Sequence, residues 1–214
     1  MTRPPLRSGF TLLELLIVVT IFGLVMAIGT QTFVSVTAAW NERRTVAELD
    51  AQVDLALESI RRDVTDALSA GVSGVGIRGA SRTVADPRTY PVPQHPDDEL
   101  LIPVRAIDPN RSLAVPANIG YRIERAGATG TLVRTVGPLG TDFPATNRLD
   151  LMPNARVLGF SVEFLAPGAD QLWVDSWTGT GMPAAVRVSL AVEDLDRPNE
   201  YQTTRQVVIP VHVR

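Results

Sequence analysis

At 214 residues and 23.1 kDa, with a formal net charge of −3, the chain has room for one ordinary domain beyond an anchoring segment. It has no cysteine and all twenty of its basic residues are arginine, which excludes thiol chemistry, cysteine–metal sites, lysine nucleophiles and Schiff bases. No dense basic patch interrupts the slightly acidic balance, so nucleic acid is not an expected partner.

Residues 1–9 are short, basic and free of acids, and Pro4 and Pro5 keep them out of a helix. Losing them would remove Arg3 and Arg7 and take the formal charge from −3 to −5. Residues 10–34 then carry fifteen Leu, Ile, Val and Phe side chains. At a few tenths of a kcal/mol each, these favour bilayer insertion by about 5–8 kcal/mol. One acid, Glu14, opposes insertion by about 2.5–3.5 kcal/mol. The segment is expected to insert regardless, and an intramembrane carboxylate with no partner in its own helix is a functional residue by expectation. Positive charge ahead of the span keeps that end in the cytoplasm and sends the C-terminal remainder of the chain across. Two plainer readings also fit parts of the pattern. One is a secretory signal peptide cut near Ala27-Ile28-Gly29, and the other is a capping box, Thr11-x-x-Glu14, at a helix start.

The helix is expected to continue through 35–70 as an amphipathic half. Val46, Leu49, Val53, Ala56 or Leu57, Ile60, Val64 and Leu68 recur at steps of three and four. Glu42, Arg43, Asp50, Glu58, Arg61, Arg62 and Asp63 are assigned to the other faces, with Glu58 and Arg62 in the favourable i,i+4 order. At about 1.5 Å per residue, a helix from Phe10 to Leu68 reaches about 90 Å, so only its first part fits a bilayer. Gly71 and Gly74 supply a stop.

Residues 71–99, rich in Gly and Pro, read as a long surface connection with one short strand. Within it Gly74-Val75-Gly76-Ile77-Arg78-Gly79 matches a dinucleotide fingerprint, but after a helix and with no helix following, which is the wrong context. Asp97-Asp98-Glu99 could offer oxygen ligands to a cation and reads more simply as a solvated turn. Strand-like runs follow at 100–106, 118–125, 131–136, 157–165, 171–177, 185–192 and 202–213, several alternating apolar and polar residues. Gly127 to Gly130 and Pro167-Gly168 read as hairpin turns. One long helix followed by antiparallel strands predicts an α+β fold with the sheet on the helix.

Catalytic chemistry finds little to use. His95 sits in a proline-rich loop and His212 in the last strand, and no G-x-S-x-G, H-E-x-x-H or phosphate loop is present. No enzymatic role, cofactor or metal is expected. Trp173 and Trp177 could belong either to local core or to an interface.

The run Gly9-Phe10-Thr11-Leu12-Leu13-Glu14-Leu15-Leu16 resembles the type III signal of type IV pilins and type II secretion pseudopilins. The resemblance implies that a membrane-embedded prepilin peptidase cuts after Gly9 and methylates the new amino terminus at Phe10. Cutting there keeps the apolar segment in the mature protein. The Glu14 carboxylate of one subunit can then pair with the Phe10 amine of its neighbour, offsetting the desolvation of both and setting register.

A second resemblance is spread more widely. Leu57-Glu58-Ser59-Ile60-Arg61-Arg62-Asp63, Val162-Glu163-Phe164-Leu165, Trp173 and Trp177, the run from Met182 to Leu190, and Val207-Val208-Ile209-Pro210-Val211 resemble J-type minor pseudopilins of type II secretion systems. This implies a pilin-like fold in which a long N-terminal helix, membrane-spanning in its first half, packs on an antiparallel β head. The layout becomes a leader at 1–9, a transmembrane half-helix at 10–34, an amphipathic half at 35–70, a connection at 71–99 and a periplasmic head at 100–214. Implied partners are the prepilin peptidase, I- and K-type minor pseudopilins, the major pseudopilin and the inner membrane, which the protein crosses once. The alternative is a minor type IV pilin acting in pilus assembly, adhesion or DNA uptake. Such pilins often carry a C-terminal disulfide, which this cysteine-free chain cannot form.

Overall fold

A computed structural model describes residues 11–68, 76–81, 83–85, 94–108, 113–126, 129–140, 147–168, 172–178, 181–198 and 200–211. The chain separates into two compact units, Met1–Thr45 and Val46–Arg214. A single helix, α1 (Leu12–Thr65), contributes to both. Within the first unit every side chain from residue 11 to residue 44 is exposed.

In the second unit the 3.6-residue repeat buries Leu49, Val53, Ala56, Leu57, Ile60 and Val64 on one helix face. Val46, expected to begin this stripe, stays exposed at 39 %. The helix ends at Thr65, before the glycines expected to stop it. Ala67 bridges to Val104, and the Leu68 N–H donates to the Pro103 carbonyl at 2.7 Å. Strand pairing thus takes over the backbone before a glycine is needed.

The strands are β1 (Arg78–Ala80), β2 (Thr83–Ala85), β3 (Gln94–Pro96), β4 (Glu99–Asp108), β5 (Leu113–Ala126), β6 (Thr129–Pro138), β7 (Leu149–Asp150), β8 (Ala155–Leu165), β9 (Trp173–Val174), β10 (Ala185–Asp194) and β11 (Gln202–Pro210). Among the described residues they form a five-stranded sheet ordered β1-β4-β5-β6-β7, a four-stranded sheet ordered β11-β10-β8-β9, and the pair β2-β3. Among the described residues every pairing between these strands is antiparallel, and a single isolated bridge, Asp97 to Phe160, is parallel. The buried helix face, Leu100, Ile102, Ile119 and Leu132 of the first sheet, and Val162, Phe164, Val188 and Leu190 of the second form one apolar cluster. One long N-terminal helix on antiparallel sheets is the α+β arrangement expected.

Local chemistry explains the irregularities. Pro103 and Pro116 sit inside strands, yet β1 reaches β4 only at Glu99 to Leu101, and β6 reaches β5 only from Ala117 onward. Pro116 therefore lies where β5 has one neighbour, whereas at Pro103 the far side of β4 is met by Ala67 and Leu68, and the proline carbonyl accepts the Leu68 N–H there. The β8–β10 register slips between Ala191 and Val192, leaving Leu158 without an opposite number. That bulge shifts the alternation, so Val157 and Phe160 both reach the core. The expected strand at 171–177 shrinks to Trp173 and Val174, with Trp177 bridging separately to Gly79.

Candidate functional site

The first unit presents an acid at the start of an exposed apolar helix. Gly9 and Phe10 lie outside the described residues; Glu14 stands in the first turn of α1. The Thr11 hydroxyl accepts from the Glu14 N–H at 3.3 Å, while the Thr11 carbonyl accepts from the N–H groups of Glu14 and Leu15 at 3.1 and 3.3 Å. Thr11 is thus an N-cap satisfying helix-start donors that would otherwise be orphaned. The cap uses the backbone of Glu14. Among the described residues no hydrogen bond or ion pair engages its carboxylate.

The segment behind Glu14 is apolar all round, with Leu16, Phe22, Leu24 and Ile28 each more than half exposed. Its mean hydropathy of 2.6 over 18 residues and its length suit a membrane span, and none of that window is buried within the protein. The helix passes through Ala27-Ile28-Gly29 without a break. Its hydroxyls are internally satisfied. Thr20 donates to the Leu16 carbonyl at 2.7 Å, Thr30 to Met26 at 2.8 Å, Thr32 to Ile28 at 2.9 Å, Ser35 to Gln31 at 2.9 Å and Thr37 to Phe33 at 2.8 Å. Folding a hydroxyl back onto the i−4 carbonyl lets it enter an apolar solvent at small cost. Glu14 has no such refuge.

The second unit contains an ionic site that hydropathy alone assigns wrongly. Asp63, placed on a polar helix face, is buried at 9 %. It accepts from the Tyr121 hydroxyl and from Arg134 Nε at 2.8 Å and Nη2 at 3.2 Å. Ser59 lies 3.4 Å from the same tyrosine oxygen. Burial chiefly, and then the Asp63 charge and hydrogen bond, push the Tyr121 hydroxyl far above its usual range. For Arg134, desolvation works against the charge, but the Asp63 carboxylate outweighs it and raises the pKa. The signal was present: Asp63 is seven residues from Ala56 and three from Ile60, which places it on the apolar stripe. The group clamps the end of α1 to β5 and β6.

Other singled-out residues resolve into packing. Asp97 forms a two-point pair with Arg125, both contacts at 3.0 Å, and Asp98, 2 % exposed, accepts the Val162 N–H at 2.8 Å. Neither is a solvated turn: β9 covers β8 only at Phe164 and Leu165, and Asp97 and Asp98 serve the strand edge beyond it. Among the described residues no three His, Asp or Glu side chains gather as metal ligands would. Glu58 pairs with Arg61 at 2.7 Å, not with Arg62 as its spacing suggested, and this ion pair lowers its pKa. Gly79 of the glycine pattern lies on β1, exchanging backbone bonds with Trp177 at 3.1 and 3.0 Å. Trp177 packs on Phe164 with centroids 6.4 Å apart, and Arg187 sits 3.9 Å above the Trp173 ring. Both indoles are half-buried. The side chain of His95 and all of His212 lie outside the described residues.

Residues 5–30 match the family model described as the prokaryotic N-terminal methylation motif, a stretch that includes Gly9, Phe10 and Glu14. Comparison with curated proteins finds no match. Among solved structures the chain is similar to a type IV-like pilin from Thermus thermophilus, with 10 % sequence identity and a TM-score of 0.50. That likeness covers 76 % of this chain and 95 % of the other, and at such identity it concerns the fold. The chain carries a prepilin-type N-methylation motif on a type IV pilin-like fold.

Proposed function

We propose that the chain is a minor pseudopilin of a type II secretion system, of the J type. Prepilin peptidase removes residues 1–9, Phe10 becomes the methylated amino terminus, and the protein joins a pseudopilus tip with I- and K-type minor pseudopilins above the major pseudopilin. The observation carrying this reading is Glu14, the one charged side chain among the exposed and largely apolar residues 12–29, inside the stretch that matches the methylation motif.

An apolar surface running right round a helix needs apolar solvent on all sides, first lipid and then other helices. Among packed apolar helices an isolated carboxylate is costly, and a cationic amine from a neighbouring subunit offsets that cost. Cleavage ahead of Phe10 creates such an amine. Arg3 and Arg7 precede the span, which supports a cytoplasmic amino terminus and a periplasmic head across the inner membrane. The pilin-like fold and the motif point to a structural subunit whose chemistry is done to it by the peptidase. A minor type IV pilin would share motif and fold, and the absence of cysteine favours the secretion reading.

The test is purification of the full chain from native membranes. Its intact mass should correspond to a methylated chain beginning at Phe10, and I- and K-type pseudopilins should co-purify. A chain cut near Gly29, or one retaining its leader, would overturn the anchor. Co-purification with pilus components in place of pseudopilins would move the assignment to the minor pilin.

A further inference from the structure

The exposed surface of α1 outlasts the hydrocarbon layer of a bilayer. About 20 helical residues cross the roughly 30 Å of acyl chains, and about 28 cross the 40–45 Å that includes both headgroup layers. Two placements compete. Residues 12–32 hold thirteen Leu, Ile, Val, Phe and Met side chains and residues 17–37 hold twelve, so apolar content hardly separates them.

The polar groups do. The first placement sets Glu14 among the tails and leaves Trp40 about 12 Å past them, in water. The second returns Glu14 to the headgroup layer at the entry side and brings Trp40, 73 % exposed, into the headgroup layer at the far side. The groups it takes in exchange, Ser35 and Thr37, already satisfy their hydroxyls on Gln31 and Phe33 carbonyls. Gln31 lies within both placements. Phe33 and Val36, 72 % and 50 % exposed, share the Trp40 face at i, i+3 and i+7, giving a stripe that leads from tails to headgroups. Arg43 and Arg44, both exposed, come within about one turn, and their long stems let guanidinium groups reach lipid phosphates.

We infer that Trp40, with Arg43 and Arg44 beyond it, is an anchor for the phospholipid headgroups of the far leaflet. It fixes the depth of the helix so that Glu14 waits at the opposite headgroup layer before assembly. This rests on the membrane reading above, and the experiment separates the two. The full chain is reconstituted into phosphatidylethanolamine–phosphatidylglycerol vesicles containing phosphatidylcholine brominated either near the headgroup or near the chain end. Flotation with the vesicles tests insertion. The difference between the unaltered chain and Trp40→Phe isolates Trp40 emission from that of Trp173 and Trp177.

That difference should be quenched about twofold more by the shallow bromine than by the deep one, as for an interfacial indole. Stronger deep quenching, or none in a chain that floats with the vesicles, overturns the anchor while leaving insertion standing. A chain that does not float overturns both.

Discussion

At the scale of single residues, Asp63 shows how an acid can be structural in a protein whose other notable acid is exposed. Its carboxylate joins Tyr121 and Arg134, and burial leaves no water to replace either partner fully. Asp63→Ala should destabilise residues 46–214 by about 2–3 kcal/mol, less than for a fully buried pair because Arg134 keeps a route to water. The urea midpoint measures this, and a change under about half a kcal/mol would deny the clamp. Tyr121 adds a pH dependence. Its native pKa lies above its unfolded value near 10, so the unfolded chain releases this proton first as pH rises. The contribution is complete below pH about 10 and declines toward the higher native pKa. Urea midpoints should therefore fall above pH about 10, and Tyr121→Phe should flatten that fall while lowering stability at neutral pH through the lost hydrogen bond to Asp63. An equal alkaline slope in both chains would assign the effect elsewhere.

At the scale of elements, close contact between strands sets the strictest limits. A Cβ on Gly130 of β6 would stand 2.4 Å from the Val157 carbonyl of β8, whereas one on Gly79 would meet the Phe164 ring at 2.2 Å. Neither glycine has the left-handed backbone that favours glycine, so space alone restricts them. A side-chain ring can yield in part and a strand carbonyl cannot without breaking its register. Gly130→Ala should cost about 2–3 kcal/mol and Gly79→Ala about 1–2 kcal/mol, while Gly181→Ala, with open space around it, should stay within about 0.5 kcal/mol. Thermal unfolding of residues 46–214 ranks the three, and a reversed order would contradict the contact between β6 and β8. Such contacts were not legible in the sequence. Alternation and periodicity revealed the main helix and the longer strands because each buries one face of a regular repeat. They missed β7, whose two residues are too few to show a period, expected one short strand in 71–99 where the three-residue β1, β2 and β3 lie, and misjudged Asp63 and Asp98, since hydropathy treats every acid as solvated. Partners 58 to 71 residues away, invisible to local pattern, made those acids internal. Glu14 could be singled out because the residues around it are uniformly apolar.

At the scale of the whole molecule, the folded core and the candidate membrane span occupy separate stretches of one chain. Every helix residue that enters the core lies at Leu49 or later, and no side chain from 11 to 44 is covered. Residues 46–214 alone should therefore unfold cooperatively in solution without detergent, and a molten, dye-binding product would show that the apolar half is needed for folding. The same separation makes Glu14 testable without touching the head. Glu14→Leu removes the one charge in the apolar segment, so insertion should be at least as strong, and resistance to alkaline extraction should persist. Assembly should suffer, because the neighbour's Phe10 amine would enter an apolar bundle with nothing to offset its desolvation. Cross-linking in native membranes should then show the variant inserted, folded and, on the proposed processing, cut after Gly9, but with at least about tenfold less product joined to neighbouring subunits, equivalent to about 1.4 kcal/mol of lost coupling. Glu14→Asp restores the charge one methylene short and should recover part of the loss. A leucine variant that cross-links at the unaltered level would show that the acid serves something other than pairing between subunits.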